Sequence, residues 1–322
     1  MTSPAATRFC FTIEEEDIEA TPRLDVFLAE QDDPPLTRSQ VKRCLDAGEI
    51  LVNDVLAKKA GYKLRAGDTI TWDHAPPQPP DLIPQDIPLT FLYHDEHLAI
   101  VDKPAGMVVH PSFGHPNGTL VNALLFHLQT LSSLHTNARP GIVHRIDKDT
   151  SGALAITCTD AAHRHLSEKF RAHSIERTYH ALVLDHGLAD EGTFDTLHGR
   201  DPRNRFRFTG EVERGKRAIT HYTVLERFEQ GVALVECRLE TGRTHQIRMH
   251  FFDAQCPLLG DQLYGGPATQ NNRLITRQAL HAYTLGFTHL DGEPVFARAP
   301  YPDDFASALD ALRAGKKWRK KG

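Results

Sequence analysis

The sequence predicts an α+β fold in two parts: a small N-terminal α/β module, then a larger domain built on a mixed or antiparallel sheet. A run of prolines over 76–90 marks a stiff, extended linker between them. Beyond it, apolar runs of strand type outnumber helical ones and are mostly separated by hairpin-like loops, which favours α+β over alternating βαβ units. The expected segments are a lead-in at 1–18, the module at 19–75, the linker at 76–90, the large domain at 91–300, and a C-terminal helix with a basic tail at 301–322.

The module begins with two short helices, after a lead-in that is either poorly ordered or an edge strand. Thr21 and Pro22 suit the N-cap and first position of the first helix, and Leu24 follows as the start of an apolar stripe. The second helix is predicted over 37–47 and ends at Gly48, where a C′ glycine is expected. Its apolar face consists of Val41, Cys44 and Leu45, and its basic face of Arg38, Lys42 and Arg43. Short strands around 50–52 and 68–72 follow, with a turn at 53–54.

The large domain combines two predicted helices with a larger number of strands. The helices are expected at 120–127 and 160–173, the second because Ala162, Leu166 and Phe170 form an apolar stripe. The strands are expected from apolar runs at 91–93, 98–101, 153–157, 179–184, 220–225 and 232–239. No repeat of 20–50 residues is evident, which argues against a solenoid or a propeller.

Composition and charge exclude several classes of protein. No run approaches the roughly 18 apolar residues of a membrane span, and the N-terminus lacks the basic start and apolar block of a secretory signal. The five cysteines are scattered without a CxxC pair, which argues against a disulfide framework and fits a reducing cytoplasm. The net charge is −5, yet basic residues are concentrated at 200–217 and 316–321, so a polyanion can still bind locally. We expect a cytoplasmic monomer with no membrane partner.

The most polar stretch of the large domain is HRIDKDTSG at 144–152, which has apolar residues on both sides. A polar loop between two strand-like runs places its side chains on a rigid base, as active sites usually require. Three further segments are similarly polar where they adjoin strands, at 102–111, 175–183 and 239–250. We expect these four segments to form the active site.

In order and in spacing, the four segments resemble the successive motifs of the RluA family of pseudouridine synthases. HRIDKDTSG is the most specific match, and TGRTHQIR at 241–248 adds independent support. The module resembles the small S-four-type RNA-binding domain, so the chain is most similar to the RluD-like branch. The resemblance runs from about residue 20 to about residue 300. Ile146 and Met249 stand where the family usually has leucine and valine, and both keep the position apolar.

The resemblance implies an enzyme that isomerises uridine to pseudouridine in structured RNA, above all large-subunit ribosomal RNA, without a cofactor or a metal ion. Asp147 matches the catalytic aspartate, Arg248 its basic partner, and Tyr179 the residue that stacks on the flipped base. Whether the aspartate adds to C1′ of the sugar or removes the 2′ proton stays open. Contacts with RNA are expected from His144, Arg145, Arg243, His245 and Gln246, and, in the module, from Arg38, Lys42 and Arg43.

Two other functions and a metal site are alternative interpretations. An inert RNA-binding or ribosome-assembly protein would share the fold, but the presence of all three catalytic candidates argues against it. A hydrolytic glycosidase usually needs a second carboxylate as proton donor, and Asp149 is too close in sequence to Asp147 to work from the other side of the sugar. His163 and His165 point to different faces of one helix and cannot converge on a metal ion.

Overall fold

The computed structural model describes residues 7–20, 23–30, 38–74, 82–112, 114–132, 134, 139–266, 269 and 272–317. The chain forms two compact units, 1–78 and 79–322. Each unit combines helices with a sheet, so the predicted α+β class is confirmed. None of the helices in these ranges has the length and apolarity that crossing a lipid bilayer requires. The finer division into five segments stays a prediction.

The first unit is a four-stranded antiparallel sheet with short helices. Its elements are β1 (Thr7–Thr12), α1 (Glu15–Ala20), α2 (Leu24–Glu30), α3 (Arg38–Asp46), β2 (Ile50–Val52), β3 (Val55–Leu56) and β4 (Thr69–His74). The strand order is β1-β4-β2-β3. Asn53 and Asp54 both have positive φ (52° and 61°) and form the predicted turn between β2 and β3, a conformation that these two residue types tolerate.

The helical spacing predicted for the first unit is confirmed by burial. Leu24 and Leu28 of α2 and Val41 of α3 are fully buried and pack in one core with Ile50 and Ile70 of the sheet. The basic face of α3, formed by Arg38, Lys42 and Arg43, is exposed. The predicted cap at residues 21–22 lies outside the described residues.

The described part of the predicted lead-in, from residue 7, belongs to the sheet and core of the first unit. Strand β1 pairs with β4 at the edge of the sheet, which is one of the two forms expected from the sequence. Phe9 and Phe11, two positions apart in β1, pack against the core, and Ile13 is fully buried. Alternation with period two gives this strand one apolar face, so residues 7–13 are part of the module's core.

The second unit is built on a ten-stranded sheet. Its elements are β5 (Thr90–His94), β6 (Leu98–Lys103), α4 (Leu120–His127), β7 (Ser151–Thr157), α5 (Asp160–Arg171), β8 (Glu176–Leu184), β9 (Glu191–Arg200), β10 (Phe208–Thr209), β11 (Lys216–Phe228), β12 (Val232–Leu239), α6 (Gln246–Asp253), β13 (Leu280–Thr288), β14 (Pro294–Arg298) and α7 (Asp303–Arg313). The order is β10-β9-β11-β12-β8-β13-β7-β6-β5, with β14 beside β13. Only β7 and β13 pair in parallel among these strands, so the sheet is mixed, as predicted.

The interior strand β7 shows that both faces of the sheet are covered. Leu154 and Ile156 point to one face and pack in a core that includes residues of α4 and α6. Ala153 and Ala155 point to the other face, where α5 and β14 pack. Gly152 has φ 112°, and a Cβ there would stand 2.2 Å from the carbonyl oxygen of Ala282, so only glycine lets β13 approach the start of β7.

Two segments that the sequence analysis sets apart from the large domain pack on the second unit. The second half of the predicted linker, from residue 82, packs on the second unit: the amide of Gln85 donates to the carbonyl of Asn122 (2.9 Å), and Ile87 lies against the core. Helix α7, predicted in the C-terminal segment, buries Phe305 and Leu309 against β8 and β12. Apolar residues at helical or alternating spacing make both segments part of the second unit's core.

Candidate active site

The loop that carries Asp147 is anchored to the end of β6 by a buried lysine. Lys103 is fully buried, and its Nζ donates hydrogen bonds to three backbone carbonyl oxygens at 2.8–3.0 Å, one of which belongs to Lys148. Burial lowers the pKa of Lys103 to about 7, whereas the nearby carboxylates of Asp149 and Asp147 raise it. Three acceptors match the three N–H donors of an ammonium group, so a protonated Lys103 fits this place best.

The other side of the same loop is anchored by Arg277. Its Nη1 donates to the carbonyl oxygen of Asp149 (3.0 Å), and its Nε and Nη2 donate to the carboxylate of Asp304 in the first turn of α7 (2.7 and 2.8 Å). Within the loop, the amide of Thr150 donates to the carbonyl oxygen of Asp147 (3.1 Å) and closes a turn. The backbone that presents Asp147 is therefore held from both ends.

Arg248 connects the Asp147 carboxylate to a second, deeper carboxylate. It lies in the first turn of α6 and is 6% exposed. Its Nη1 donates to Oδ2 of Asp147 (2.9 Å), while Nε and Nη2 donate to Oδ2 and Oδ1 of Asp261 (2.7 and 3.0 Å). The ring of Tyr264 lies beside the guanidinium, 5.1 Å from Cζ. Arg248 thus binds Asp261 through two hydrogen bonds and Asp147 through one.

The electrostatics of this triad keep Arg248 and Asp261 charged. Burial would lower the pKa of Arg248, but the hydrogen bonds and charges of Asp261 and Asp147 raise it above its ordinary value. Burial would likewise raise the pKa of Asp261, yet Arg248 and two backbone amides hold it below its ordinary 3.8. A buried charge is tolerated where it is paired and hydrogen-bonded. The pair is therefore a fixed support for the Asp147 carboxylate.

Tyr179 of β8 and Asp147 line one cavity of about 450 Å³. Tyr179 is 8% exposed, and burial raises the pKa of its phenol, with Arg177 opposing and Asp147 adding to the shift, so the hydroxyl is protonated at neutral pH. The same cavity is lined by five arginines: Arg145, Arg171, Arg177, Arg243 and Arg248. A second cavity of about 420 Å³ is also lined by Asp147 and Arg248, so the Asp147 carboxylate borders both cavities. The aromatic ring suits stacking on a planar group, and the excess of arginines suits an anionic backbone attached to that group.

Comparison with known proteins identifies the family. The family model described as RNA pseudouridylate synthase matches residues 97–252, and that of the S4 domain matches residues 22–70. The chain is 45% identical over 294 residues to the uncharacterized RNA pseudouridine synthase YlyB of Bacillus subtilis, covering 90% of this chain and 94% of that protein. It is 42% identical over 308 residues to the ribosomal large subunit pseudouridine synthase D of Xanthomonas campestris, covering 92% and 91%. The chain belongs to the RNA pseudouridine synthase family.

A solved structure agrees with the fold of this synthase. The human RNA pseudouridylate synthase domain containing 1 matches 72% of the chain and 98% of its own length, with a TM-score of 0.57 and 24% identity. The predicted enzyme class is confirmed: the protein is an RNA pseudouridine synthase, an isomerase with an N-terminal S4 domain. The alternative of an inert RNA-binding protein gains no support from these comparisons.

Two of the predicted RNA-contacting residues of the synthase lie at the rim of the cavity. Arg145 is exposed, borders both cavities, and donates from Nη2 to the hydroxyl of Thr244 (3.0 Å). Arg243 is half-buried and donates from Nε to the carbonyl oxygen of Arg217 (3.2 Å). Both guanidinium groups keep donors that no contact in the described residues occupies, so they remain candidates for RNA phosphate.

Three other predicted residues are engaged by the protein itself. Nε2 of His144 accepts from the amide of Ala155 (2.8 Å), and burial lowers the pKa of this histidine to about 3. Gln246 is buried and bonds the 241–246 turn and β11 through both its amide atoms. His245 has φ 58°, and burial lowers the pKa of its imidazole, which lies 3.2 Å from the hydroxyl of Tyr264. These contacts indicate roles in shaping the site.

The remaining site predictions concern the RNA contacts of the S4 domain and the alternative of a metal site. Arg38 of α3 donates to the Asp25 carboxylate (3.0 Å), whereas Lys42 and Arg43 are exposed and, in the described part of the chain, unpaired with a carboxylate. Within the described ranges, no three His, Cys, Asp or Glu side chains are grouped closely enough to hold a metal ion. His165, one of the weighed metal candidates, bonds through Nε2 to the carbonyl oxygen of Thr288 (2.8 Å).

Sequence reasoning did not assign three residues that organise the site. Lys103 lies inside the first polar segment, 102–111, so its position could have suggested a role. Asp261 follows an apolar run and precedes Tyr264, which is a weak signal for a buried acid. Arg277 has no local signal at all, because its partners are separated from it by 27 and 128 positions.

Proposed function

We propose that this synthase isomerises uridine in large-subunit ribosomal RNA, with Asp147 as the catalytic carboxylate, Arg248 as its cationic partner and Tyr179 stacking on the extruded base. The proposal depends above all on the ion pair between Asp147 and Arg248 in the wall of a cavity that also contains Tyr179. The choice of RNA is supported by the relative named ribosomal large subunit pseudouridine synthase D.

The chemistry requires a carboxylate close to C1′ of the target nucleotide. The bond from C1′ to N1 breaks, the uracil turns, and a bond from C1′ to C5 forms, while C5 loses a proton and N1 gains one. Atoms and electrons balance within the nucleotide, so the reaction requires no redox cofactor. Oδ2 of Asp147 accepts from Arg248, and Oδ1 has no hydrogen-bond partner in the described residues, which leaves it to meet the sugar. It either adds to C1′ or removes the 2′ proton.

The same cavity argues against a hydrolytic glycosidase. Such enzymes generally place two carboxyl groups on opposite sides of the sugar. Asp147 is the one acidic residue among those that line the first cavity in the described part of the chain. Asp261, the other carboxylate on Arg248, is fully buried behind the guanidinium. A single carboxylate in the first cavity suits an isomerisation that returns the base to the sugar.

Two surfaces support RNA as the partner. The S4 domain exposes Lys42 and Arg43 on α3. In the second unit, residues 200–217 contain seven basic and three acidic side chains; we call this segment the basic lobe. Its Phe206 is 62% exposed, with the guanidinium of Arg205 4.9 Å from the ring centre. Exposed aromatic rings among arginines suit unpaired bases and phosphates.

The lobe joins the unit beside the proposed active site, since the amide of Phe208 donates to the hydroxyl of Tyr264 (2.8 Å), whose ring lies over Arg248. We further propose that one copy of the chain acts alone, since a single chain supplies Asp147, Tyr179 and Arg248 to one cavity. A ribosomal RNA substrate also implies action in the cytoplasm.

The test maps pseudouridine in large-subunit ribosomal RNA from cells that lack this protein. Loss of pseudouridine at one or more positions, restored by the wild-type protein but not by Asp147→Asn, is the expected result. The purified protein should convert uridine at the same positions in a transcript without releasing free uracil. An unchanged pseudouridine map of the large-subunit RNA would refute the proposed substrate.

A further inference from the structure

A second buried arginine lies in the wall of the cavity, and it has no carboxylate partner among the residues that the structure describes. Arg177 of β8 is 9% exposed. Its Nη2 donates to the carbonyl oxygens of Leu239 (3.4 Å) and Glu240 (3.0 Å). Its Nε is buried without a hydrogen-bond partner, and no hydrogen bond in the described residues engages Nη1. The guanidinium also lies over the ring of Phe170, 5.5 Å from the ring centre, a contact that brings no counter-charge. Two carbonyl oxygens bind the side chain but do not neutralise its charge.

The lack of a counter-ion distinguishes Arg177 from the other buried arginines of this unit. Arg248 is paired with two aspartates, and Arg277 is paired with Asp304. Burial lowers the pKa of Arg177, but an arginine stays protonated in proteins. An unpaired buried charge is unfavourable unless a partner arrives. With five arginines and one carboxylate in its lining, the cavity favours an occupant that carries negative charge.

The position of Arg177 indicates which part of the substrate carries that charge. Arg177 and Tyr179 are two positions apart on β8, so both side chains point to the same face of the sheet and into the same cavity. The backbone of Gly242 also makes room for the guanidinium, because a Cβ there would stand 2.8 Å from Nη1 of Arg177. If Tyr179 stacks on the uracil, as the proposed function holds, the free donors of Arg177 lie next to that base.

We propose that Arg177 is a catalytic residue, whose free N–H donors stabilise the negative charge that develops on the uracil ring as the C1′–N1 bond breaks. This inference depends on the proposed function. In that step the bonding electron pair passes to N1 and is shared with O2 and O4, while C1′ becomes electron-deficient beside Asp147. The pair returns when C5 attacks C1′; the C5 proton then leaves and N1 is protonated. Donors aimed at developing charge are among the largest contributions to catalysis.

A leaving-group comparison tests the proposal. A large-subunit RNA fragment is transcribed with either uridine or 5-fluorouridine, and loss of the N-glycosidic nucleoside is followed in single turnovers. Fluorine at C5 withdraws electrons and stabilises the uracil anion, so cleavage then depends less on the protein. We expect Arg177→Gln to slow cleavage of uridine about 100-fold. Cleavage of 5-fluorouridine by this variant should be slowed only about tenfold or less. Its affinity for the RNA should stay within about twofold of wild type.

Two further variants separate catalysis from folding. Gly242→Ala keeps Arg177 but displaces Nη1, and it should reproduce part of the loss with the same dependence on fluorine. Arg238→Gln is the matched control: Arg238 is exposed, lies on the neighbouring strand β12, and should match wild type on both RNAs. Arg177→Lys keeps the charge without the fork and should fall between wild type and Arg177→Gln.

Several outcomes would overturn the inference. An equal loss on both RNAs with weakened binding would assign Arg177 to a phosphate. An equal loss on both RNAs with a lowered melting temperature would assign it to holding residues 239–240. If the wild-type enzyme converted no uridine in any large-subunit RNA fragment, the proposed function would fail first, and the inference with it.

Discussion

Arg248 donates one hydrogen bond, 2.9 Å long, to a single oxygen of the Asp147 carboxylate. Its remaining donors are directed to Asp261, so the two aspartates share one guanidinium unequally. The side chain of Asp147 keeps 22% of its surface exposed, whereas that of Asp261 is fully buried. Asp261 therefore fixes the position of Arg248, and Arg248 in turn holds Asp147, whose carboxylate still faces the cavity.

Asp147→Asn should abolish isomerisation and leave RNA affinity nearly unchanged. The substitution removes the charge but little volume, and phosphate contacts elsewhere supply most of the binding. Single-turnover conversion and filter binding on the same transcript measure the two effects. A rate within about tenfold of wild type, roughly 1.4 kcal/mol of barrier, would exclude the proposed role.

Arg248→Ala should lower the turnover number at pH 7 by at least about 100-fold, roughly 2.7 kcal/mol. Without the cation, the Asp147 carboxylate loses the hydrogen bond that orients it, and the buried Asp261 loses the partner that lowers its pKa. The pH–rate profile of Arg248→Ala should therefore differ in shape from that of wild type. Arg248→Lys keeps the charge and should retain more activity. A pH–rate profile of unchanged shape in Arg248→Ala would mean that this arginine serves RNA binding instead.

Asp261→Asn should destabilise the protein by about 3–5 kcal/mol at pH 7, because it leaves Arg248 without its main partner. The pKa of Asp261 is lower in the folded state than its ordinary 3.8. The stabilisation is therefore complete above about pH 4 and is lost as the pH falls through the folded-state pKa. Urea unfolding at pH 7, 5, 4 and 3 measures this.

In that series, the difference between wild type and Asp261→Asn should shrink toward pH 3. Asp310→Asn, at an exposed position of α7, is the matched control and should leave the free energy of unfolding within about 0.5 kcal/mol of wild type. A difference that stays constant from pH 7 to pH 3 would contradict the charged pairing of Asp261 with Arg248.

Phe206→Ala in the basic lobe should weaken RNA binding by about 1–3 kcal/mol if its exposed ring stacks on an unpaired base. Arg205→Gln should reduce the salt dependence of binding by about one released ion. Phe296→Ala is the control, since that ring is 59% exposed on β14. Equal affinities for wild type and Phe206→Ala at every salt concentration would remove the lobe from the RNA surface.

Removal of residues 1–78 should weaken binding to structured RNA while preserving conversion of a short substrate. The site residues all belong to the second compact unit, and the S4 domain would act by raising the local concentration of RNA. Competition between full-length and truncated protein on long and short transcripts measures the effect. A folded truncated protein that is inactive on every RNA would show that the first unit takes part in the chemistry.

Local patterns predicted the parts of the fold that depend on local sequence. Helix α4 was predicted with the observed limits, 120–127, because its apolar spacing ends where the helix ends. Strand β12 was predicted correctly because it begins with four consecutive apolar residues, Val232 to Val235. Strands β9 and β13 were missed, because polar residues interrupt them and only pairing with neighbouring strands makes them extended.

By itself, the sequence determined the two-part α+β organisation, the family, and the identity of Asp147, Tyr179 and Arg248 as candidates, since each is carried by a short motif. The resemblance also implied that Arg248 pairs with Asp147, 101 positions away. Only the tertiary structure decided the other charges, since no local pattern indicates that Asp261 completes the pair or that Arg177 has no carboxylate partner in the described residues. Ion pairing depends on distances of a few ångströms, and those are set by the register of β7, β8 and β13 and by the packing of α6 against the sheet.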